Sequence, residues 1–381
     1  MNPNVTFQEY RKKALTINKI NYWDLPINTR ITLSQSIKEA KLNGKSITLK
    51  RLNNLVKKNS KINNKISSIL FFRDSRELSL NLPLSLNNLN FVELYSLMVS
   101  EGSYKTEFRL HVPEPFFHDI FAKSLKNLFN KKIEKHIRVK ENKGVLRSTA
   151  PTIIRHLIPI PKHIPKIILD NKKYCKRYLQ IAFEAEGSPI FVGSKRYLSL
   201  KRNVDVTPIL KNKINYPKEK RIYFGQLKKD YPKLAKKINN MAPKTLVGER
   251  LILKKYFNIE SILKPEAIRI NKTSYRVGEI SARWALYIYA DSVNRFINEI
   301  DFIGKRKKSI TKKMSKIKGY KSQYSTLKMM KKMAKNGIFK VSDFVKEMKK
   351  EGYISPRTYL WRYEKKGRIK RINRGIYKII S

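Results

Sequence analysis

The chain has 381 residues, which is enough for two or three domains. It carries 84 Lys and Arg residues against 29 Asp and Glu residues, so its formal net charge is +55. Hydrophobic residues make up 41% of the chain, so the charge must lie mainly on folded surfaces, and it predicts a polyanionic partner such as nucleic acid. The only cysteine, Cys175, excludes disulfides and cysteine-rich zinc sites.

The sequence contains no signal for a membrane or a histidine metal site. No segment reaches the roughly 18 consecutive apolar residues of a membrane span, and the first residues lack the apolar core of a secretory signal. The five histidines show neither HxxxH nor HExxH spacing. We therefore expect a cytoplasmic, DNA-bound protein with neither a membrane nor a small molecule as its partner.

Residues 1–88 are predicted to form an N-terminal helical segment. Apolar residues recur at helical spacing around Asn43-Gly44, with Ile37 before this turn and Leu49 and Leu52 after it. The pattern is compatible with a helix-turn-helix that contacts DNA. Two short helices around an Asn-Gly turn are common, so the role of this segment stays open.

A nine-residue pattern occurs twice, at residues 94–102 and 179–187. Each copy is an apolar helical stretch that ends in an acid and a glycine, Glu101-Gly102 and Glu186-Gly187, and glycine suits a helix C-cap. A carboxylate is unfavourable at a helix C-terminus because the macrodipole is negative there. Two such acids predict a bound cation or a shifted proton, with two ordinary amphipathic helices as the alternative.

The periodicity after the first copy is that of a strand. Phe108, Leu110 and Val112 alternate with charged residues, so one face is expected to pack and the other to contact a partner. Pro115 then opens a predicted helix, and a basic hairpin that turns near residues 142–144 follows it.

The second copy is followed by the same order of elements. A strand pair turns at Gly193-Ser194, a helical insertion covers about 208–257, and two strands and a helix complete the unit. The order helix, strand, strand, helix, strand, strand, helix therefore occurs over residues 89–170 and again over 171–304. This predicts an α+β fold with a pseudo-twofold, duplicated αββαββα core.

The last part of the chain is predicted to be a linker and a small domain. Lys and Arg dominate residues 305–323 without apolar periodicity, which predicts a basic, solvated linker. Residues 324–381 contain three helical patterns and a basic hairpin, and Ser355-Pro356 marks the start of the third helix. This is the order of a winged helix-turn-helix, whose third helix enters the major groove of DNA.

Over residues 88–308 the repeated unit resembles the LAGLIDADG homing endonuclease family, in its monomeric, two-repeat form. The resemblance rests on the paired motifs, with Phe-Glu-Ala-Glu-Gly-Ser at 183–188 a close match, and on residues 274–307, which are similar to the end of such a repeat. Two departures stand out. Both acids are Glu rather than Asp, and Ile181 is bulky where close helix approach favours a small residue.

The resemblance implies a metal-dependent catalytic site. Glu101 and Glu186 would bind divalent metal at the scissile phosphates, with two or three Mg²⁺ ions shared between them. Lys307, or alternatively Lys162, would supply a basic catalytic residue nearby.

Basic residues on the predicted strand faces and in the winged helix are expected to contact DNA. They are Lys105, Arg109, His111, Arg138, Lys140, Arg147, Lys195, Arg196, Lys201, Arg202, Arg276, Arg357, Arg362, Arg368 and Lys370.

Together these features predict a monomeric, site-specific DNA endonuclease that hydrolyses phosphodiester bonds of duplex DNA with Mg²⁺. Two alternatives remain open. One is a non-catalytic, sequence-specific DNA-binding protein, such as a transcription regulator on the same scaffold, and the other is an RNA-binding intron maturase. An acid in both motifs favours cutting, whereas the appended winged helix favours binding alone.

Overall fold

The structure is a computed structural model with helices and strands throughout, and the protein is of the α+β class. The described residues are 2–380 without 18, 21–29, 34–45, 63–67, 74–75, 82–83, 105–106, 130–132, 134–136, 143, 193–194, 212, 215–220, 271–278, 290, 316–322, 352 and 354–355. Two compact units are present, Met1–Glu186 with Asn240–Ile252, and Gly187–Asn239 with Leu253–Ser381. Among the described helices, none has the length and apolar character needed to cross a membrane.

The first unit begins with strands as well as helices, so the prediction of a purely helical segment over 1–88 is wrong. The helices described there include α1 (Phe7–Lys13) and α2 (Leu49–Lys58). Strand β1 (Lys19–Ile20) pairs with β6 (Leu84–Ser85), and a sheet of order β3-β2-β4-β5 contains β2 (Arg30–Leu33), β3 (Ser46–Thr48), β4 (Ser68–Arg73) and β5 (Arg76–Asn81).

A strand, β3, leads directly into α2, and the Thr48 hydroxyl at this junction accepts a hydrogen bond from the Arg51 backbone N–H. The element directly before α2 is therefore a strand. Ile37 and Asn43-Gly44, on which that prediction rests, lie outside the described residues.

The next part of the first unit contains a sheet with helices packed against it. Its elements are α3 (Leu89–Glu101), β7 (Gly102–Ser103), β8 (Phe108–Val112), α4 (Pro115–Leu128), β9 (Arg138–Asn142), β10 (Val145–Ala150) and α5 (Ile154–Leu157). The antiparallel strand order is β7-β8-β10-β9. As the alternation predicts, Phe108, Leu110 and Val112 are buried, and α4 begins at Pro115.

Helices α6 (Lys166–Leu169) and α7 (Lys172–Glu186) follow, and α7 packs directly against α3. The rings of Tyr95 and Tyr178 lie with their centroids 5.9 Å apart across this contact. Ile181 is fully buried within α7, so the unit accommodates the bulky residue in its core.

The second unit contains another antiparallel sheet, together with helices. Its elements are β11 (Gly187–Val192), β12 (Lys195–Asp205), α8 (Thr207–Leu210), β13 (Ile222–Tyr223), α9 (Phe224–Asp230), α10 (Pro232–Asn239), the last part of α11 (Lys244–Phe257), β14 (Ser261–Ile270), β15 (Ile280–Tyr289) and α12 (Asp291–Glu299). The strand order is β11-β12-β15-β14-β13. Apart from the edge strand β13, this is the order of the sheet in the first unit.

The predicted basic linker contains a helix, α13 (Lys305–Ser315), which corrects the expectation of a solvated segment there. Lys307, Thr311 and Met314 are buried at helical spacing along it. The Arg196 guanidinium donates to the Met314 carbonyl at 2.8 Å, near the end of this helix. Lysine can contribute to such a buried face, because its aliphatic stem packs readily while its charge marks it as a surface residue in the sequence.

The C-terminal part of the second unit has its own core. It comprises α14 (Gln323–Met333), β16 (Ile338–Lys340), α15 (Val341–Lys350), α16 (Pro356–Lys365), β17 (Ile369–Asn373) and β18 (Ile376–Ile379), with strand order β16-β18-β17. Met330, Phe344, Met348 and Tyr363 are buried together in it. The helix order and the hairpin agree with the apolar spacing in the sequence, whereas β16 was not predicted.

Candidate nucleic-acid interface

Glu101 and Glu186 occupy equivalent places in the chain. Each is the last residue of its helix, α3 or α7, each is half-buried, and in each case a strand begins at the following glycine. Gly102 is the C-cap of α3, as predicted, and it is extended, with a φ of −89°. Its requirement is spatial, because a Cβ on Gly102 would lie 2.5 Å from the Met98 Cα.

The two helices that carry the acids are tied together by polar and aromatic contacts. The Arg177 Nη2 atom lies 2.6 Å from the Glu93 Oε1 atom, and Tyr95 meets Tyr178 nearby. Each contact joins residues about two turns before the ends of their helices. The ends of α3 and α7 therefore lie at comparable distances from the point where the helices touch.

The donors at these helix ends suit a hard divalent cation. In the described part of the chain, no group of three or more His, Cys, Asp or Glu side chains could hold a metal by itself. Proteins usually hold Mg²⁺ through one or two carboxylates, with substrate phosphates and water completing the shell. Two glutamates are thus a donor set that fits an ion completed by a phosphate.

The open face of the first sheet is basic. Arg109 and His111 alternate with the buried residues of β8, and Arg147 on β10 lies directly opposite His111 on one side and Lys140 on the other. Arg109 and Arg138 lie directly opposite Thr149, the next residue of β10 that shares this face, on its two sides. Directly opposite residues share a face with Cβ atoms about 5 Å apart. The predicted contacts on these strands therefore converge on one surface.

Parts of this basic face have unused hydrogen-bonding capacity. Among the described residues, the buried Nε atoms of Arg109 and Arg147 find no hydrogen-bond partner, although Arg109 also donates to Glu107 at 2.9 Å. Buried donors without acceptors are unfavourable, and phosphate oxygens would satisfy them. Burial, together with the charges of Arg147 and Arg109, lowers the pKa of His111, so this side chain is neutral at pH 7.

The second sheet places its predicted basic residues on two different faces. Lys201 lies on the open face, where its Nζ atom is 3.1 Å from Glu266. Arg196 and Arg202 alternate with it along β12 and are only 7% and 8% exposed, on the face of the buried Leu198 and Leu200. The prediction that both arginines lie on an exposed strand face is therefore wrong. Arg196 instead bonds to helix α13, as described above.

Sequence reasoning missed an aromatic cluster on the open face of the second sheet. Tyr197 lies directly opposite Tyr289, and Tyr287 is on the same face two positions earlier in β15. The Tyr287 hydroxyl donates to Glu266, and burial together with this bond raises the tyrosine pKa. Burial raises the pKa of Glu266, but the bonds from Tyr287 and Lys201 outweigh it and leave that pKa below its ordinary value. The alternation in β15 was visible in the sequence, but the partner strand was not.

The remaining predicted site residues have varied positions. Lys105 and Arg276 lie outside the described residues, Lys195 is the first residue of β12, and Lys162 is an exposed loop residue. Lys307 is 6% exposed in the second unit, and its Nζ atom lies 5.6 Å from the centroid of the Phe302 ring. Its catalytic role stays a prediction.

Helix α16 presents a basic and aromatic surface. Arg357, Trp361 and Arg362 are exposed, and the Lys365 Nζ atom lies 4.6 Å from the centroid of the Trp361 ring. Arg368 and Lys370 after this helix are exposed as well. All the residues predicted to contact DNA from this domain are thus accessible.

No family model and no curated protein matches this chain. Among solved structures, full-length DUF199/WhiA from Thermatoga maritima is 13% identical, covers 66% of this chain and 68% of its own, and gives a TM-score of 0.33. The N-terminal LAGLIDADG domain of DUF199/WhiA is 13% identical, with 59% and 89% covered and a TM-score of 0.30. I-DmoI in complex with DNA and Mn is 14% identical, with 56% and 97% covered and a TM-score of 0.28.

Proposed function

We propose that this protein is a monomeric, site-specific endonuclease that binds double-stranded DNA and hydrolyses its phosphodiester bonds at a site formed by Glu101 and Glu186. The observation that carries the proposal is the placement of these acids. Each ends one of two helices that pack directly against each other, and each is followed at once by the first strand of a sheet.

The arrangement of the strands supports a duplicated αββαββα core. In each unit the first strand after the acid pairs with the second, the second with the fourth, and the fourth with the third. In the first unit a helix follows each strand pair, α4 after β8 and α5 after β10. The C-terminal three helices and hairpin are proposed to be a winged helix-turn-helix that adds affinity and register.

DNA binding is assigned first to the basic face of the first sheet. Five cationic or titratable side chains occupy adjacent positions there, and two arginines have buried donors that a phosphate oxygen would satisfy. The net charge of +55 adds long-range attraction for a polyanion. Binding should therefore weaken with salt, with a log–log slope near −0.9 for each phosphate contact.

The chemistry is assigned to the two carboxylates, which would hold the divalent ion through their oxygens. When bound, such an ion supplies a Lewis acid and a more acidic water. The negative end of each helix adds to the charge of its carboxylate and so strengthens the attraction for a cation. The chain itself fixes the acids in place, because Gly102 is confined by Met98 and the Glu93–Arg177 pair holds α3 against α7.

Cleavage of a randomised duplex library tests the proposal. The purified full chain, incubated with Mg²⁺, is expected to cut a minor, reproducible set of sequences, and EDTA is expected to abolish the cuts. DNA binding without any Mg²⁺-dependent cut would remove the nuclease assignment.

A second candidate function is sequence-specific DNA binding without cleavage, as in a transcription regulator. The observation that favours it is α16, which exposes Arg357, Trp361 and Arg362 on a small domain with its own core. Such a surface would recognise a DNA sequence without any contribution from Glu101 and Glu186. The library experiment separates the two, because a regulator would enrich bound sequences that remain intact with Mg²⁺.

A further inference from the structure

A patch of aromatic and aliphatic side chains covers part of the open face of the second sheet. The centroids of the Tyr197, Tyr287 and Tyr289 rings are 5.6 Å apart in every pairing, and Tyr287 stacks on Tyr289 with 18° between the rings. Ile262 lies directly opposite Tyr287, and Ile190 lies directly opposite Tyr197. These five residues, the tyrosine patch, cross four neighbouring strands.

The tyrosine patch is accessible to a partner. Tyr289 is 38% exposed and Ile262 is 55% exposed. A contiguous apolar surface of this kind, bordered by polar groups, usually marks a binding site.

The border of the tyrosine patch is positively charged. The Lys264 Nζ atom lies 4.9 Å from the centroid of the Tyr287 ring. Lys201 and Arg221 lie 3.1 Å and 3.8 Å from the Glu266 carboxylate, which accepts a hydrogen bond from the Tyr287 hydroxyl. Two cations thus lie beside Glu266 and a third lies over the Tyr287 ring, which the bond to Glu266 holds in a fixed position. The partner that complements this border carries negative charge.

The first sheet has a different surface chemistry on its open face. At the described strand positions of that face, His111 and the cations Arg109, Arg138, Lys140 and Arg147 have no tyrosine, phenylalanine or tryptophan beside them. A surface that contacts only phosphates has no use for stacked tyrosines, because a phosphate gains nothing from an aromatic face. The tyrosine patch therefore calls for a partner with flat rings as well as negative charge.

Unpaired nucleotides combine these two properties. The faces of paired bases are hidden within a duplex, whereas an unpaired base can stack on an exposed tyrosine while its phosphate meets a nearby lysine. We propose that the tyrosine patch binds unpaired nucleotides, so that the favoured ligand is a duplex with a locally unpaired segment. This inference rests on the nucleic-acid binding proposed above and narrows the class of ligand.

Binding of the full chain to two matched DNA ligands tests the inference. One is a fully paired duplex, and the other has the same length but a central mismatched bubble with 2-aminopurine as one unpaired base. The wild type is expected to bind the bubble more tightly and to quench 2-aminopurine. Tyr289→Ala is expected to weaken bubble binding roughly tenfold, the loss of about one base–aromatic stack, and to leave duplex binding within about twofold.

Three further variants separate stacking from packing. Tyr289→Phe keeps the ring and should keep both the affinity and the quenching, whereas Tyr289→Leu keeps apolar volume and should lose both. Tyr104→Ala is the matched control, because this tyrosine is 38% exposed, like Tyr289, and lies in the first unit, outside the patch. Equal melting temperatures across the set exclude a folding defect.

Three outcomes would overturn the inference. Equal binding of bubble and duplex by the wild type would do so, as would equal losses on both ligands in Tyr289→Leu. The third is loss of self-association by Tyr289→Leu in sedimentation with unchanged nucleic-acid binding, which would assign the patch to a second copy of the chain. Failure of the proposed nucleic-acid binding looks different, because neither ligand would then bind, and failure of the proposed cleavage would leave both binding results unchanged.

Discussion

The ion pair between Glu93 and Arg177 should hold the two acid-bearing helices in register, and Arg177→Met tests this. The Arg177 Nη2 and Nε atoms lie 2.6 Å and 2.7 Å from the Glu93 Oε1 atom, and the Ser124 hydroxyl donates to Oε2 at 3.1 Å. The side chains of Arg177 and Glu93 are 25% and 13% exposed, so the pair is neither buried nor free in solvent.

The size of the effect follows from this intermediate exposure. Exposed pairs contribute about 0.2–1 kcal/mol, whereas breaking a buried pair by removing one partner costs about 3–5 kcal/mol. Removing Arg177 should therefore destabilise the first unit by about 2 kcal/mol, because Glu93 is left in a largely buried place with Ser124 as its remaining bond. For a unit of this size the melting temperature should fall by roughly 4–8 °C.

A double-mutant cycle with Glu93→Gln, followed by thermal denaturation, measures the coupling directly. The expected coupling energy is about 1 kcal/mol, and the double variant should be less destabilised than the sum of the single variants. At temperatures well below the transition, Arg177→Met should also cut DNA more slowly, because the ends of the helices lose a constraint. Additive effects within about 0.5 kcal/mol would refute the reasoning.

Other parts of the molecule give further predictions. Arg147→Gln should make the log–log salt slope of DNA binding shallower by about 0.9, because one phosphate contact is lost. Arg196→Gln alters a buried arginine, so it should lower the melting temperature and leave the salt slope unchanged. A changed slope in Arg196→Gln and an unchanged slope in Arg147→Gln would contradict the placement of these arginines on buried and open faces. DNA affinity should rise as the pH falls below 6.5, because a phosphate favours the protonated form of His111, whose pKa is lowered in the free protein. This pH dependence should be weaker in His111→Asn. An identical pH dependence in that variant would show that His111 is not its cause. Lys307→Met keeps an unbranched apolar side chain near Phe302 and removes the charge. Slower cleavage at unchanged affinity and melting temperature would support a catalytic role for Lys307. Unchanged cleavage would exclude that role.

The elements that sequence reasoning predicted well are those whose pattern is local. The alternation of Phe108, Leu110 and Val112 gave the buried face of β8, and Pro115 gave the start of α4. The acids of both motifs also end their helices as expected. In each case the signal lies within a few residues of the feature, so no knowledge of a distant partner is needed.

The errors concern features that depend on distant partners. Strands β2–β5 form a sheet through pairings between short segments, and these pairings cannot be read from the sequence. In β5, however, Leu78 and Leu80 alternate with Ser79 and Asn81, a local strand pattern that the prediction of a helical segment overlooked. Arg196 and Arg202 share a face with Leu198 and Leu200, but only the pairing with β15 shows which face is covered. The tyrosine patch depends on register in the same way.

The joint action of Glu101 and Glu186 is the central claim, and the cleavage rates of Glu101→Gln, Glu186→Gln and the double variant test it most directly. Each single change should reduce Mg²⁺-dependent cleavage by about 10²-fold or more while DNA affinity stays within about twofold, since one carboxylate is lost from a shared site. The double variant should cut little more slowly than either single variant, because the effects of substituting residues that act as a unit are not additive. Unchanged cleavage in a single variant, or multiplicative losses in the double variant, would contradict a shared site.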